Sequence, residues 1–344
     1  MDALRLVNIE MMKGESPVAK QLVDGYDALF ADLDGVVYEG GKAIDHAIES
    51  LTTLQNAGMK IGYVTNNSSR KPETIAEQIS GYGIAVRPEQ VVSSGQTGVE
   101  LLKTLVPGGS KILVVGGEGL RAYTEAGGFE LVTDSTQNPA AVIQGFSPDV
   151  GWKHLSEAAF AIQNGAKWVA TNQDWTIPQE RGIAPGNGTL VSAVHTAVGQ
   201  LPLVAGKPEV AIFETAKTRF GARRPLFVGD RIDTDILGAN RSGIDSVLVL
   251  TGISKPKELL ATKKDSQPTY VIEDLRELLN AYIQPKKTKF GYSLRNAEVE
   301  LLGNKVRVVS GDPKSIDVLR CACAVIWNSE VPIHGLDVEP SIYE

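Results

Sequence analysis

Short apolar runs alternate with amphipathic stretches along most of this chain, a pattern that predicts strands and helices in turn and a parallel α/β architecture. The run ALFADLD at 28–34 predicts a buried strand, and 44–57 a helix ended by Gly58. MKIGYVTNN at 59–67 predicts the next strand, 72–82 a helix, and 90–94 a third, short strand. Near 93–98 the pattern restarts. Strands are predicted at 111–116, 129–132, 140–146 and 167–172, helices at 119–126 and 155–165, and a long Gly/Pro-rich loop at 173–188. The first pattern then resumes with a helix at 190–198, a short strand at 203–205 and a helix at 209–220. Strands follow at 225–230 and 246–252, and 270–283 predicts a closing strand and helix.

A polar linker, Pro285 through Lys289, precedes about 55 residues of different texture. There, 297–311 predicts a hairpin turning near Gly303 and Asn304, and Asp312 and Pro313 are placed to open a helix that runs through Trp327. The expected division is a core of 1–98 and 200–284, an inserted α/β unit over 99–199, and an α+β appendage over 285–344.

Composition adds mainly exclusions. With 42% hydrophobic and 22% charged residues the chain can bury real cores. Its net charge of -7 provides no basic footprint, so neither nucleic acid nor an anionic membrane is expected as a partner. No apolar stretch approaches the roughly 18 residues that span a bilayer. The opening MDALRLVNIEMMKGESP lacks a basic patch followed by an apolar run, which argues against export. Cys321 and Cys323, the two cysteines, stand two apart in one predicted helix, where they face different ways and form neither a disulfide nor a metal motif. The expectation is a reducing, cytoplasmic compartment, and the pattern is compatible with a homo-oligomer.

Four separated pieces carry candidate chemistry. Asp32 and Asp34, followed by Gly35, stand at the end of a buried strand, where open α/β sheets bind ligands. Carboxylates at i and i+2 face the same way and can share a cation. One can attack phosphorus, and the other can protonate a leaving alcohol and then activate water. Thr65, Asn66 and Asn67 close the next strand, where a hydroxyl and loop amides can cradle phosphoryl oxygens. Lys207, before Pro208, offers a point cation for phosphate. Asp230, Arg231, Asp233 and Asp235 follow another apolar strand, where carboxylates hold a hard cation such as Mg²⁺. Each piece alone also reads as a turn, a helix cap or a solvated charge.

Together, in this order, they resemble the four motifs of the haloacid dehalogenase superfamily. Within it they are most similar to the NagD/p-nitrophenylphosphatase-like branch, typified by D-x-D-G-V-x-Y, T-N-N, G-K-P and G-D-R-x-x-T-D. The matching positions run from Asp32 to Tyr38, from Thr65 to Asn67, from Gly206 to Pro208 and from Gly229 to Asp235, and the resemblance covers about residues 20–283. It implies a Rossmann-like core and a Mg²⁺-dependent phosphatase acting on a small phosphorylated metabolite through an aspartyl-phosphate. Asp32 would be nucleophile and metal ligand. Asp34 would be general acid/base and lend the metal its main-chain carbonyl. Asp230 would be the second carboxylate ligand, and Asp235 would orient Lys207 and the metal's waters. Thr65, Asn66, Asn67 and Lys207 would hold the phosphoryl group.

Thirty residues separate Asp34 from Thr65, too few for an inserted domain, whereas 139 separate Asn67 from Lys207. The resemblance therefore implies a C2-type cap at about 99–199, whose loop from Thr171 through Asn172 and Asp174 would reach the substrate. The C-terminal stretch resembles the short acetyltransferase-like tail of actinobacterial glycerol-phosphate phosphatases of this branch. It is too short for a complete acetyltransferase, and a packing or regulatory role is expected. Glycerol 3-phosphate is the expected substrate. Phosphoglycolate, a nucleotide, pyridoxal phosphate and a non-catalytic phosphometabolite-binding role are the alternatives. Gly117, Gly119 and Ala122 match a dinucleotide-binding G-x-G-x-x-A, but their place inside the insert predicts a packing turn. His154 and His195 have no neighbouring ligands in sequence and are expected to be structural.

Overall fold

The computed structural model describes residues 20–179 and 181–344, so the reading of the first seventeen residues lies outside what is described. Six parallel strands form the main sheet, in the order Tyr270–Ile272, Asp245–Val249, Pro225–Gly229, Ala28–Ala31, Lys60–Thr65 and Val91–Ser93. Helices cover both faces, which is why its strands read as unbroken apolar runs. Along the central strand, Leu29 and Ala31 enter a cluster with Leu51, Ile75 and Ile79. Ala28 and Phe30 point the other way, into one with Phe213 and Phe227. The chain builds outward from Ala28–Ala31 on one side and then returns to build on the other. The strand order therefore reverses between Ala28–Ala31 and Pro225–Gly229, and the crevice at their carboxyl ends is where such sheets bind ligands.

A second parallel sheet has the order Leu203–Val204, Lys167–Ala170, Ala141–Gln144, Lys111–Val115 and Glu130–Val132. Helices Trp152–Gln163 and Asn187–Val198 bury one face and Ser94–Leu105 the other. Two expectations change here. The strand near 203 belongs to this second sheet rather than to the main one, so the insert extends past 199. The supposed loop 173–188 contains a hairpin, Thr176–Gln179 with Gly182–Pro185. Its segments read Thr-Ile-Pro-Gln and Gly-Ile-Ala-Pro, with no alternation to betray a strand.

The C-terminal residues form a third sheet of five strands, Lys286–Lys287, Gly291–Leu294, Ala297–Leu302, Lys305–Ser310 and Asp337–Val338, packed on helix Ile316–Trp327. The hairpin turn falls at Gly303 as expected. The helix cap does not fall at Asp312: Ser315 is the N-cap, its Oγ accepting from Val318 N at 3.3 Å, while Asp312 forms the preceding turn by accepting from Lys314 N. The closing helix near 270–283 is only a 3₁₀ turn, Leu275–Leu279. Cys321 and Cys323 are free and buried. No helix among the described residues is long and apolar enough to cross a membrane.

Candidate active site

The two strands at the switch point end in carboxylates. Asp32 N donates to Val228 O at 2.9 Å, carrying the ladder one residue beyond the strand. At Gly35, φ is 81°, and a Cβ would collide with the carboxylate of Asp230. Only glycine lets the chain leave the strand and admit that neighbour. Asp230 Oδ2 accepts from Ile253 N at 2.7 Å, and its Oδ1 is buried with no hydrogen-bond partner among the described residues. Asp235 is fully buried and accepts from Arg231 N at 3.1 Å. Between the acids lies Lys207, 3% exposed, with Nζ 2.6 Å from Asp32 Oδ1 and 2.7 Å from Asp235 Oδ1. Nζ also donates to Val64 O at 3.3 Å, so the ammonium is held from three sides.

Carboxylate oxygens of Asp32, Asp230 and Asp235 all lie within 4.8 Å of one another. Three buried carboxylates face one ammonium. Burial and the charges of Asp235 and Asp32 push Asp230 up to about 8, and burial pushes Asp235 up to about 6 despite Lys207. Asp32 is likewise raised by burial, against the pull of Lys207. Burial opposes the charge of Lys207, but Asp235 and Asp32 outweigh it and keep the ammonium above its ordinary range. The excess negative charge and the orphaned Oδ1 of Asp230 are what a small hard cation would satisfy, so the residues fit Mg²⁺. Asp235 stands in this group of carboxylates beside Asp32 and Asp230, while Asp34, expected to lend the metal its main-chain carbonyl, keeps its carboxylate outside the group. Asp34 lines the cleft instead, open to it and without a hydrogen bond among the described residues, its carboxyl raised by the burial around it.

The cleft, about 870 Å³, is floored by these groups together with Thr65, Asn66 and Asn67, and is covered by Asn172, Asp174, Thr176, Ile177 and Phe146 from the second sheet's side. Thr65 Oγ1 accepts from Asn67 N at 3.1 Å, and its own proton has no acceptor among the described residues. Asn67 Oδ1 accepts from Ser69 N and Arg70 N, shaping its own loop. The side chain of Asn66 is fully used. Its Oδ1 accepts from Lys207 N at 2.7 Å, and its Nδ2 donates to Lys207 O and to Asp174 Oδ1, each at 3.1 Å. Asn172 Nδ2 donates to Asn66 O at 2.8 Å. One asparagine thus joins three chain segments.

Gly119 packs against the carbonyl of Ser69, where a Cβ would clash, and Tyr123 Oη donates to Arg70 O at 2.9 Å. The G-x-G-x-x-A is therefore a packing turn against the Thr65 loop. His154 is exposed, and His195 Nδ1 lies 2.9 Å from Gln200 O in a helix-end turn. The sequence reading missed Glu39, Phe146, Ile253 and Lys255, which also line the cleft. Ile253 and Lys255 follow the strand Asp245–Val249, so the strand-end rule that found Asp32 would have found them.

Comparison with known proteins bears on this geometry. Residues 29–130 match the haloacid dehalogenase-like hydrolase family and 204–278 the HAD-hydrolase-like family. The chain is 41% identical to the D-glycerol 3-phosphate phosphatase of Mycobacterium tuberculosis over 259 residues, covering 75% of this chain and 72% of that protein. It is 36% identical to an acid sugar phosphatase of Staphylococcus saprophyticus, over 74% of this chain and 97% of that protein. The crystal structure of the M. tuberculosis glycerol phosphate phosphatase in complex with calcium superposes with a TM-score of 0.84 at 35% identity, covering 93% of this chain and 94% of that one. The same protein in complex with magnesium superposes with a TM-score of 0.82, also at 35% identity, over 94% and 95%.

Proposed function

The chain belongs to the haloacid dehalogenase-like hydrolases, and on that premise we propose that it is a Mg²⁺-dependent phosphatase that hydrolyses glycerol 3-phosphate. The observation that carries this reading is the buried group of three carboxylates and one lysine at the sheet's switch point. Asp32, Asp230 and the main-chain carbonyl of Asp34 would hold the ion, with Asp235 beside them. Bound there, Mg²⁺ neutralises charge on the phosphoryl group. A carboxylate oxygen of Asp32 attacks phosphorus, and the bond from phosphorus to the leaving oxygen breaks. Asp34, whose pKa is raised by desolvation against the pull of Lys207 and Arg70, gives that oxygen a proton. It then takes a proton from water, whose oxygen attacks the aspartyl-phosphate and frees Asp32 and phosphate. Lys207 and Thr65 hold the phosphoryl oxygens. Residues from about 99 to 204 act as a cap that excludes bulk water and reads the leaving alcohol.

Asn66 acts as a positioning residue, because its side chain has no free hydrogen-bonding group left for phosphate. Asn66→Ala should lower kcat about a hundredfold through misplacement of Lys207, with little change in KM. A raised KM with unchanged kcat would instead make Asn66 a direct substrate contact.

Substrate choice falls to Asn172 and Asp174. Asp174 lines the cleft with Oδ1 bonded to Asn66 and Oδ2 unpaired among the described residues. A site that bonds a substrate hydroxyl penalises analogues lacking it. Phosphate release should be measured across glycerol, glycolate, sugar, nucleotide and pyridoxal phosphates, and glycerol 3-phosphate should be cleaved with the highest kcat/KM. Asp174→Ala should reduce that value about a hundredfold and leave p-nitrophenyl phosphate far less affected. Equal losses on both substrates would assign Asp174 to structure or to the shared chemistry.

A further inference from the structure

The C-terminal sheet and helix do not sit apart from the main sheet. Val299, Val306, Val318, Leu319, Ala322 and Cys323 share one apolar cluster with Ile236, Leu248, Leu259, Leu260 and Val271 of the main unit, and Ile232 and Leu250 pack against it. Ile232 and Ile236 flank Asp233 and Asp235 in the turn after Asp230. Leu250 begins the loop whose Ile253 N donates to Asp230 Oδ2 at 2.7 Å and whose Ser254 N donates to Asp230 O at 3.1 Å. Ser254 Oγ accepts from Ile232 N at 3.1 Å, tying the two segments together. Lys255 then caps helix Pro256–Leu260, which packs on helix Ile316–Trp327.

Polar contacts lock the same docking. Val271 lies on the free edge of the main sheet, and its main-chain groups are closed off by side chains. Tyr282 Oη accepts from Val271 N at 3.2 Å, and Arg320 Nε donates to Val271 O at 2.8 Å. Arg320, 3% exposed, also bonds Glu277 at 2.7 Å and lies 4.5 Å from the Tyr282 ring centre. A guanidinium so buried is retained only where its donors are met. The two family matches end at 278, so the fold's chemistry does not in general need such a module. In this chain, however, the side of the Asp230 turn that would otherwise meet water is apolar.

We propose that residues 285–344 buttress the metal side of the active site, holding the 250–255 loop and the Asp230 turn so that the Asp230 carboxylate stays aimed at the cation. Leu319 and Arg320 are then positioning residues for metal binding. The proposal rests on the Mg²⁺ reading above, and calorimetric titration of the full chain with Mg²⁺ keeps the two apart.

Leu319→Ala should weaken Mg²⁺ affinity about tenfold and speed amide exchange at Ile253 and Ser254. Ile79→Ala makes a similar cavity on the far side of the sheet and should leave both readings unchanged. Leu319→Met, which restores volume, should recover the affinity. If Leu319→Ala does not fold, Arg320→Lys tests the same docking and should also weaken Mg²⁺ binding. Affinity within twofold of the parent in the folded variant, or an equal loss in Ile79→Ala, would overturn the buttress while leaving the phosphatase reading intact. A parent chain that binds no Mg²⁺ at all would overturn both.

Discussion

Asp32→Asn is expected to reduce phosphate release at least about ten-thousandfold, a rise of about 5 kcal/mol in the barrier, while leaving the fold in place. The amide has nearly the shape of the carboxylate but no charge and no oxygen able to form a stable ester with phosphorus. Lys207 would keep Asp235 at 2.7 Å and Val64 O at 3.3 Å, so its position does not depend on Asp32 alone. Removing one of three crowded carboxylates also relieves repulsion on Asp230, so the variant should melt no lower than the parent. The measurement is a single-turnover assay on glycerol 3-phosphate and p-nitrophenyl phosphate, with thermal melting alongside. Turnover within tenfold of the parent would rule out a covalent mechanism on Asp32.

The catalytic floor was legible because its residues are local to strand ends. Asp32 and Asp230 each follow an apolar run within one residue, and a parallel sheet carries the ends of neighbouring strands to one edge whatever the intervening length. Features that arise from tertiary pairing were hidden. The strands Lys286–Lys287 and Asp337–Val338 are two residues long and exist only because a neighbour pairs with them. Leu203–Val204 carries no mark of which sheet it joins. The role of Asn66 was hidden for a similar reason: an amide after a strand reads as a phosphate ligand until its partners, Lys207 and Asp174, are seen to occupy both its ends. The choice between Asp312 and Ser315 as cap turned on three residues of register, and both types are good caps.

Removing the divalent cation should abolish turnover, by at least about a thousandfold or about 4 kcal/mol, and Mg²⁺ should restore it. Ca²⁺ should bind yet support little catalysis, because its larger and looser coordination does not reproduce octahedral geometry. The charge balance of the site also fixes how stability responds to pH. Without a cation, Asp230 is pushed up to about 8 in the folded chain by burial and by Asp235 and Asp32, against an ordinary carboxylate value near 4 when unfolded. Between those values the folded state binds the extra proton, so stability falls as pH rises through this window. Asp235, pushed up to about 6, adds in the same direction over the lower part. A bound cation must displace that proton, so it is strongly opposed at pH 5.5 and only weakly near pH 8. Saturating Mg²⁺ should therefore raise the melting temperature more at pH 8 than at pH 5.5, and Asp230→Asn should erase most of that difference. Full activity in excess chelator would refute the metal assignment. A Mg²⁺-induced rise in melting temperature that is the same at both pH values would show that the proton on Asp230 is not what the cation replaces.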